Sequence, residues 1–539
     1  MHRRPILPWI LCCMVQFLVW SPAMAQSRYP TERDHSPITR AVAQQIKAIA
    51  ANGQIQGRYE NRFIKVGDSI TVAPDYFMGQ FIYPDHDPNV HHDWDYTRDL
   101  GFYQYLRTPM EHFLSGILPG GETSFDRQSL AAQSGMTAHW AITGDPCPLQ
   151  QEIDAVSPLC AVIMFGTNDV GGWGDHYALL KTIGGNLLEI IDRCIAQGII
   201  PVITAPPLRG GYEEITLDLS HLVRALAQMR QIPFIDYHRA MMPLPDYGLG
   251  SDQVHPSVMQ YNRMCHLTEE GLQFGYNMRN LVTMQAFDRV YRTVIGEAPA
   301  LDFEPATLQG EGSLADPFQV DALPFIDARA TTTSNLQYTY RLDLGESLDL
   351  RLMAIHQDDS DADLTLLDSS FAVIESSEGW IDIQLGPGQY YVEVKAKDAL
   401  PANAGEFQLL IIDRSGDGSP DSNGIVLDGA TASPSILDPD APTVVTFQAT
   451  ALDDSAIAGV FLDLSEVGGG SNVEMTGDGQ GAYSYSVSLN PLSSGERLVT
   501  VTARDDEANE VSVPIYFVPE TGDLIFSDGL ESGDTGAWS

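Results

Sequence analysis

Three side chains far apart in the chain, Ser69, Asp252 and His255, are of the types that together make a hydroxyl reactive. A serine hydroxyl is a poor nucleophile until a neighbouring base takes its proton. Imidazole can be that base, and a carboxylate on its other ring nitrogen fixes the tautomer and steadies the imidazolium. Asp252 and His255 are spaced so that one helical or turn-like segment places both side chains on the same side. Pro256 follows directly and biases His255 away from the helical region, which puts the pair on a loop. The chemistry such a trio performs is acyl transfer, in which an oxygen becomes negative in a tetrahedral intermediate and needs donors around it. Three are available: the backbone N–H of Ser69, that of Gly135 in Gln133-Ser134-Gly135-Met136, and the side-chain amide of Asn168 in Gly166-Thr167-Asn168-Asp169. Asp68 and Asp169 read as structural residues that bond backbone amides of their own turns.

These groups need elements to carry them. Phe63-Ile64-Lys65-Val66 is a short β-type run broken by Gly67 and Asp68, so Ser69 falls on the turn where a buried strand ends. Ala161-Val162-Ile163-Met164-Phe165 is a continuous apolar run of the kind found in strands buried on both faces, and Gly166 ends it, so Asn168 also falls at a strand's carboxyl end. In an open α/β sheet that is where ligands bind. Further on, Leu179 to Gln197, Ile199 to Ile203, Ile215 to Arg230 and Ile232 to Ile235 alternate helical with strand patterns, the mark of a mostly parallel sheet with helices on both faces.

Taken in order, Gly67-Asp68-Ser69-Ile70, Gly135, Gly166-Thr167-Asn168-Asp169 and Asp252-Gln253-Val254-His255 resemble the blocks of the GDSL, or SGNH, hydrolases, over roughly Tyr59 to Gly296. Ile70 stands where the family name has leucine, and Ser134-Gly135 is the least distinctive block. The resemblance implies a flavodoxin-like three-layer α/β/α domain and a serine esterase working through an acyl-enzyme. It implies Ser69 as nucleophile, His255 as base, Asp252 as its partner, an oxyanion hole of Ser69, Gly135 and Asn168, and no required cofactor. Acetylated polysaccharide, lipid and small acyl esters all suit such a site. The alternative from another class is a surface-binding or adhesive protein whose hydrolase fold no longer turns over.

The start of the chain reads as a secretory signal, residues 1–25. His2-Arg3-Arg4 is a basic head, Ile6 to Trp20 is mostly apolar, and Ala23-Met24-Ala25 fits small-x-small cleavage. The expected location is outside the cytoplasm of a bacterium, periplasmic or extracellular, with no later stretch of membrane-spanning length. Cys12 and Cys13 lie too early for lipid attachment. The remaining Cys147, Cys160, Cys194 and Cys265 are an even set in an exported chain, which supports disulfides. Cys147 and Cys160 flank a Pro-containing loop and form the first candidate pair, with Cys194 and Cys265 left to pair by elimination. Four cysteines allow three connectivities, and isolated buried thiols are the alternative for the second pair. The 539 residues carry 72 acidic against 30 basic side chains, a formal charge of −42, which argues against nucleic acid or anionic membrane as partner.

Beyond Gly296 short alternating strands separated by Gly, Asp and Ser clusters replace the helical patterns, and the texture is that of β-sandwiches. The division is then a lead-in at 26–57 with one short helix, the hydrolase-like region at 58–296, and two all-β modules. Residues 303–413, with Gly386-Pro387-Gly388-Gln389-Tyr390-Tyr391-Val392, resemble the prepeptidase C-terminal β-sandwich, and 426–518 resemble an immunoglobulin-like module. Contact with a cell surface or polysaccharide is one role for these modules; acting as spacers is the plainer one and is favoured. In the 414–425 linker and its approach, Asp413, Ser415 and Asp417 sit on alternating positions before Gly418, with Asp421 beyond, like the first half of a calcium loop without the terminal glutamate. A turn-rich linker explains them equally well. The cluster from Asp85 to Asp95 follows no metal spacing and reads as an insertion beside the site, with Tyr83 and Trp94. Residues 519–539 resemble a tail of exported proteobacterial proteins.

Overall fold

The architecture comes from a computed structural model, which describes residues 27–519 except 32, 73–74, 87–96, 102, 173, 297–300, 303–304, 306, 357–361, 415–425, 434–435, 438–440, 453–456, 480, 492–496 and 506–509. The expected signal segment, the calcium-loop positions Ser415, Asp417 and Asp421, most of the Asp85 to Asp95 cluster and the C-terminal tail lie outside the described residues.

Four strands, β1 (Tyr59–Gly67), β2 (Pro158–Met164), β3 (Ile200–Thr204) and β4 (Phe234–Ile235), pair in that spatial order and all in parallel. Every residue of β2 is buried, as its unbroken apolar sequence requires of a strand covered on both faces. Past β1, Ala132 makes a single parallel bridge to Gly67. The Gly67 N–H donates to the Ala131 carbonyl and the Gln133 N–H to the Gly67 carbonyl, both at 3.1 Å. Counting that bridge, the chain crosses the sheet in the flavodoxin-like order, and the direction of winding reverses between β1 and β2. On the far edge β4 is covered by the lead-in. His35 bridges Ile235 in antiparallel fashion, and the Asp236 N–H donates to the Asp34 carbonyl at 2.7 Å, so the last strand presents no open ladder there.

Around the sheet, among the described residues, lie helices α1 (Arg40–Ile55), α2 (Ser69–Val72), α3 (Arg107–Leu114), α4 (Ala138–Ile142), α5 (Pro148–Val156), α6 (His176–Ala196), α7 (Glu213–Arg230), α8 (Tyr237–Met241) and α9 (Gly275–Val294). Helices α1, α3 and α9 pack together, and α4 to α7 form a second group, giving the three-layer sandwich. Helix α1 begins where the Thr39 hydroxyl accepts the Val42 N–H, and it buries Val42, Ile46 and Ile49 in the same core as the sheet. The lead-in is thus part of this domain's packing. No helix among the described residues is long and apolar enough to cross a membrane.

The first β-sandwich has a five-stranded sheet ordered β10-β9-β12-β7-β5 and a four-stranded sheet ordered β11-β8-β13-β6, where β5 is Phe318–Gln319, β6 Phe325–Ala330, β7 Gln337–Leu344, β8 Leu348–His356, β9 Ala362–Asp368, β10 Val373–Glu378, β11 Trp380–Leu385, β12 Gly388–Ala396 and β13 Glu406–Asp413. Its four-stranded sheet lies on α6 and α7. Ile326, Ala328, Met353, Ile355, Leu410 and Ile412 belong to the same buried cluster as the hydrolase core. Polar contacts ring that seam. Arg351 donates to Asp218 at 2.7 Å and forks onto Asp382 at 2.9 Å, Arg230 bridges Asp192 and Glu406, and the Tyr177 hydroxyl donates to the Ala354 carbonyl at 3.0 Å. The strands from Val426 to Pro519 form a second sandwich over a separate core that includes Phe447, Val460 and Val501.

The disulfides expected between Cys147 and Cys160 and between Cys194 and Cys265 are absent: all four are free, buried cysteines. Each thiol is used as a small apolar filler. Cys160 lies within β2 and Cys194 within α6, while the Cys147 sulfur accepts from Arg193 at 3.3 Å and that of Cys265 from Asn280 at 3.8 Å. Burial pushes the Cys194 thiol up to about 12 and those of Cys160 and Cys265 well above the ordinary range.

Candidate active site

Strand β1 delivers Ser69 as the first residue of α2, two residues past the strand's last residue, Gly67. The N–H groups of a helix's first turn have no partner within the helix, and the Ser69 N–H is one of them. Asp68 organises this turn. Its Oδ1 accepts the Ile70 N–H at 3.0 Å, and its carbonyl accepts the Thr71 and Val72 N–H groups at 3.0 and 2.9 Å. The side chain is fully buried and Oδ2 has no partner, so desolvation raises its pKa to about 6 despite the Ile70 N–H and the positive field of Arg279.

The second strand end carries Asn168. Gly166 has φ +129°, and a Cβ there would lie 2.7 Å from Leu219 and 2.8 Å from Pro206, so only glycine allows β2 to break at this point. Asp169 then fixes the turn: one carboxylate oxygen accepts the Ala138 N–H at 2.9 Å and the other the Gly166 N–H at 3.1 Å. Burial raises its pKa also to about 6, against those two bonds. The Asn168 amide nitrogen donates to the Met136 carbonyl at 3.0 Å, which ties it to the segment carrying Gly135 and leaves its second hydrogen available. Gly135 has φ +77°, and open space surrounds the position of a Cβ.

His255 arrives on a loop, as Pro256 indicated. Leu249 and Pro256 form an antiparallel bridge, the Gly250 N–H donates to the His255 carbonyl at 2.8 Å, and Gln253 takes φ +54° at the tip. Within this closed loop Asp252 Oδ1 accepts the Val254 and His255 N–H groups, each at 3.0 Å, while Oδ2 lies 2.7 Å from His255 Nδ1. His255 Nε2 lies 2.9 Å from Ser69 Oγ. Partial burial works against the Asp252 charge, but the bonds from the imidazole and the two amides outweigh it and hold the carboxyl at about 2. Ionised Asp252 therefore accepts from Nδ1–H, which leaves Nε2 as the acceptor for the Ser69 hydroxyl.

All residues singled out for chemistry meet at one end of the sheet. Sequence reasoning missed two arginines that support them. Arg209, on the loop after β3, donates to the Thr167 carbonyl, and the next N–H, of Gly210, donates to the Gln253 carbonyl at 2.9 Å, so this loop joins the Asn168 turn to the histidine loop. Arg279, on α9, donates to the Ile70 carbonyl in the turn that follows Ser69. The only signal for Arg279 was a run of polar residues, Asn277, Arg279, Asn280 and Thr283, on a helix face that proves fully buried. Among the described residues no group of three or more His, Cys, Asp or Glu is arranged to hold a metal ion.

Residues 113–263 match the model of the GDSL-like lipase/acylhydrolase family, a span that includes Gly135, Asn168, Asp252 and His255 and begins after Ser69. No curated protein matches the sequence. Solved structures similar to this chain include a GDSL-like lipase from Bacteroides thetaiotaomicron, 16% identical, covering 46% of this chain and 98% of its own with a TM-score of 0.25. A catalytic mutant of an acetylxylan esterase from Geobacillus stearothermophilus is 16% identical, covering 42% of this chain and 93% of its own with a TM-score of 0.26. The pre-peptidase C-terminal domain of a collagenase from Bacillus anthracis is 12% identical, covering 17% of this chain and 91% of its own with a TM-score of 0.16.

Proposed function

We propose that this chain, which carries a GDSL-like hydrolase domain, is an exported serine esterase that cleaves carboxylic esters through an acyl-enzyme on Ser69. The observation that carries the reading is the unbroken hydrogen-bonded series from Ser69 Oγ through His255 to Asp252, at 2.9 and 2.7 Å. In the first step His255 Nε2 takes the hydroxyl proton as Oγ attacks the ester carbonyl, and Asp252 stabilises the imidazolium. The oxyanion is met by the N–H groups of Ser69 and Gly135 and the free hydrogen of the Asn168 amide. The imidazolium then protonates the departing alkoxide. Water, deprotonated by the same nitrogen, attacks the acyl-enzyme, and as the second intermediate collapses the imidazolium returns that proton to the departing Ser69 Oγ, releasing the carboxylic acid and restoring neutral His255.

Export rests on the basic, apolar and small-residue pattern of residues 1–25. Hydrolysis of a short-chain p-nitrophenyl ester by the full chain, abolished in Ser69→Ala, is the test. A correctly folded native chain that turns over no member of a broad ester panel would overturn the esterase reading and leave a binding protein with a silent fold.

A further inference from the structure

The turn that holds Ser69 is too short to hold itself. Helix α2 has four residues, and isolated helices of a single turn do not persist without outside support. Its amino end is fixed by Asp68. Its carboxyl end is fixed by Arg279, a residue from α9 far along the chain and 1% exposed. One guanidinium nitrogen donates to the Ile70 carbonyl at 2.7 Å and the other to the Thr71 hydroxyl at 2.8 Å. The guanidinium lies over the Phe77 ring, 3.7 Å from its centroid. Its Nε is buried without a partner, and no carboxylate among the described residues forms an ion pair with it.

Burying a guanidinium without a salt bridge is costly, and a leucine would fill a hydrophobic layer more cheaply. What the arginine gains is two donors aimed at the residues immediately after the nucleophile, with positive charge where a helix exposes its carbonyls. Packing explains why the turn needs the clamp. The Thr71 hydroxyl sits so close to Gly67 that a Cβ there would lie 2.3 Å from it, so Thr71 has one place to go and Arg279 holds it there. Asp68 and Arg279 thus grip the two ends of one turn, with Ser69 between them.

We infer that Arg279 is a positioning residue for the nucleophile: through Ile70 and Thr71 it fixes α2 so that Ser69 Oγ stays in reach of His255 while the Ser69 N–H faces the oxyanion. The inference rests on the esterase reading for its rate effects, and it requires no contact of Arg279 with substrate. A small misplacement of a reacting group costs roughly 100-fold in rate. Arg279→Leu in the full chain is therefore expected to lower kcat for a small ester by about 100-fold, with KM within about twofold of native. In Arg279→Ala, whose short side chain leaves the guanidinium's place open, millimolar guanidinium should recover part of the loss, whereas it should not help Ser69→Ala. Hydrogen exchange should show the backbone amides of residues 69–72 losing protection while β1 and α9 keep theirs.

Native kcat, or a loss carried wholly by KM, in a folded Arg279→Leu chain would overturn the inference. If that chain does not fold, Thr71→Val removes one acceptor at constant shape, and a kcat reduced by about tenfold at unchanged melting temperature supports the clamp, while native kcat refutes it. Failure of the esterase reading has a different signature: the native chain itself is inactive. In that event the exchange measurement still decides whether Arg279 orders the turn.

Discussion

The floor and the rim of the cleft use the same residue type in opposite ways. On the floor, Asp68 is 0% and Asp169 7% exposed, and burial pushes both carboxyl groups up to about 6. On the rim, the Asp252 side chain is 53% exposed and its hydrogen bonds hold it at about 2. The floor aspartates shape turns and accept an electrostatic cost at neutral pH, while the rim aspartate is kept ionised, the state that an imidazolium beside it requires. Rigidity follows the same division. The floor is part of a core that continues into the first sandwich, whereas the rim is one loop closed by its own hydrogen bonds.

The largest effect should come from removing what lies under the floor. A chain ended at Gly296 loses Ile326, Ala328, Met353, Ile355, Leu410 and Ile412 and bares the faces of α6 and α7 they cover. The lost burial is on the order of 10 kcal/mol, comparable to the whole stability of a domain, so this chain should be insoluble or unfolded by circular dichroism. A chain ended near residue 425 should keep its melting transition and activity, because the second sandwich has its own core. A stable, active 1–296 fragment would break the comparison.

Next come the residues that span floor and rim. Ser69→Ala and His255→Ala should each lower kcat by at least about 10⁴-fold, and the double variant should be scarcely worse than either, because they act as a unit. Additive losses in steady-state kinetics would show that they do not. Asp252→Asn should cost about 10³-fold, less than the ~10⁴ of a buried triad carboxylate, since water already competes at the exposed rim. Asn168→Ala should lower kcat by about 100- to 1,000-fold at little-changed KM, because the charge it meets develops only in the transition state. A rise in KM at normal kcat would make Asn168 a substrate-binding residue.

The smallest effect is one of stability and has a definite sign. Asp68 titrates higher in the folded chain than a free carboxyl, so the folded state holds the extra proton between about pH 4 and 6, and stability falls as pH rises through that window. Asp68→Asn keeps an acceptor for the Ile70 N–H and removes the charge. It should be more stable than native at pH 8, by about 1 to 3 kcal/mol, with the difference gone by about pH 4. Asp252 runs the other way: its contribution is present above about pH 4 and is lost as pH falls towards 2. Thermal melts across pH 3 to 8 check both signs.

What was legible in the sequence was whatever local pattern determines. The apolar runs ended by Gly67 and Gly166 gave the strand ends, and Pro256 gave the loop under His255, so Ser69, Asn168 and His255 were placed at the sheet's end. The flavodoxin-like order was legible through family resemblance alone; its edge position is a single bridge at Ala132, too short to leave a strand pattern. The cysteines misled because an even count behind an apparent export signal looks the same whether the sulfurs pair or fill a core, and the difference lies in neighbours such as Arg193 and Asn280. Docking of the first sandwich left a partial trace: the unbroken apolar runs Leu352 to Ile355 of β8 and Leu409 to Ile412 of β13 mark strands buried on both faces, as in β2, but do not say that α6 and α7 are what covers the second face. Arg209 and Arg279 act across long sequence separations, and apart from the polar face of α9 around Arg279 the spacing carries no trace of what they reach.

The central claim, that Ser69 is a nucleophile activated by His255, is tested most directly by covalent labelling. The native full-length chain is treated with a fluorophosphonate, the intact mass is measured, and the modified peptide is sequenced by mass spectrometry. The account predicts one adduct, on Ser69, forming fast in the native chain, at least about 100-fold more slowly in His255→Ala, and not at all in Ser69→Ala. A folded native chain that takes no label, or label that persists on another serine in Ser69→Ala, would contradict it.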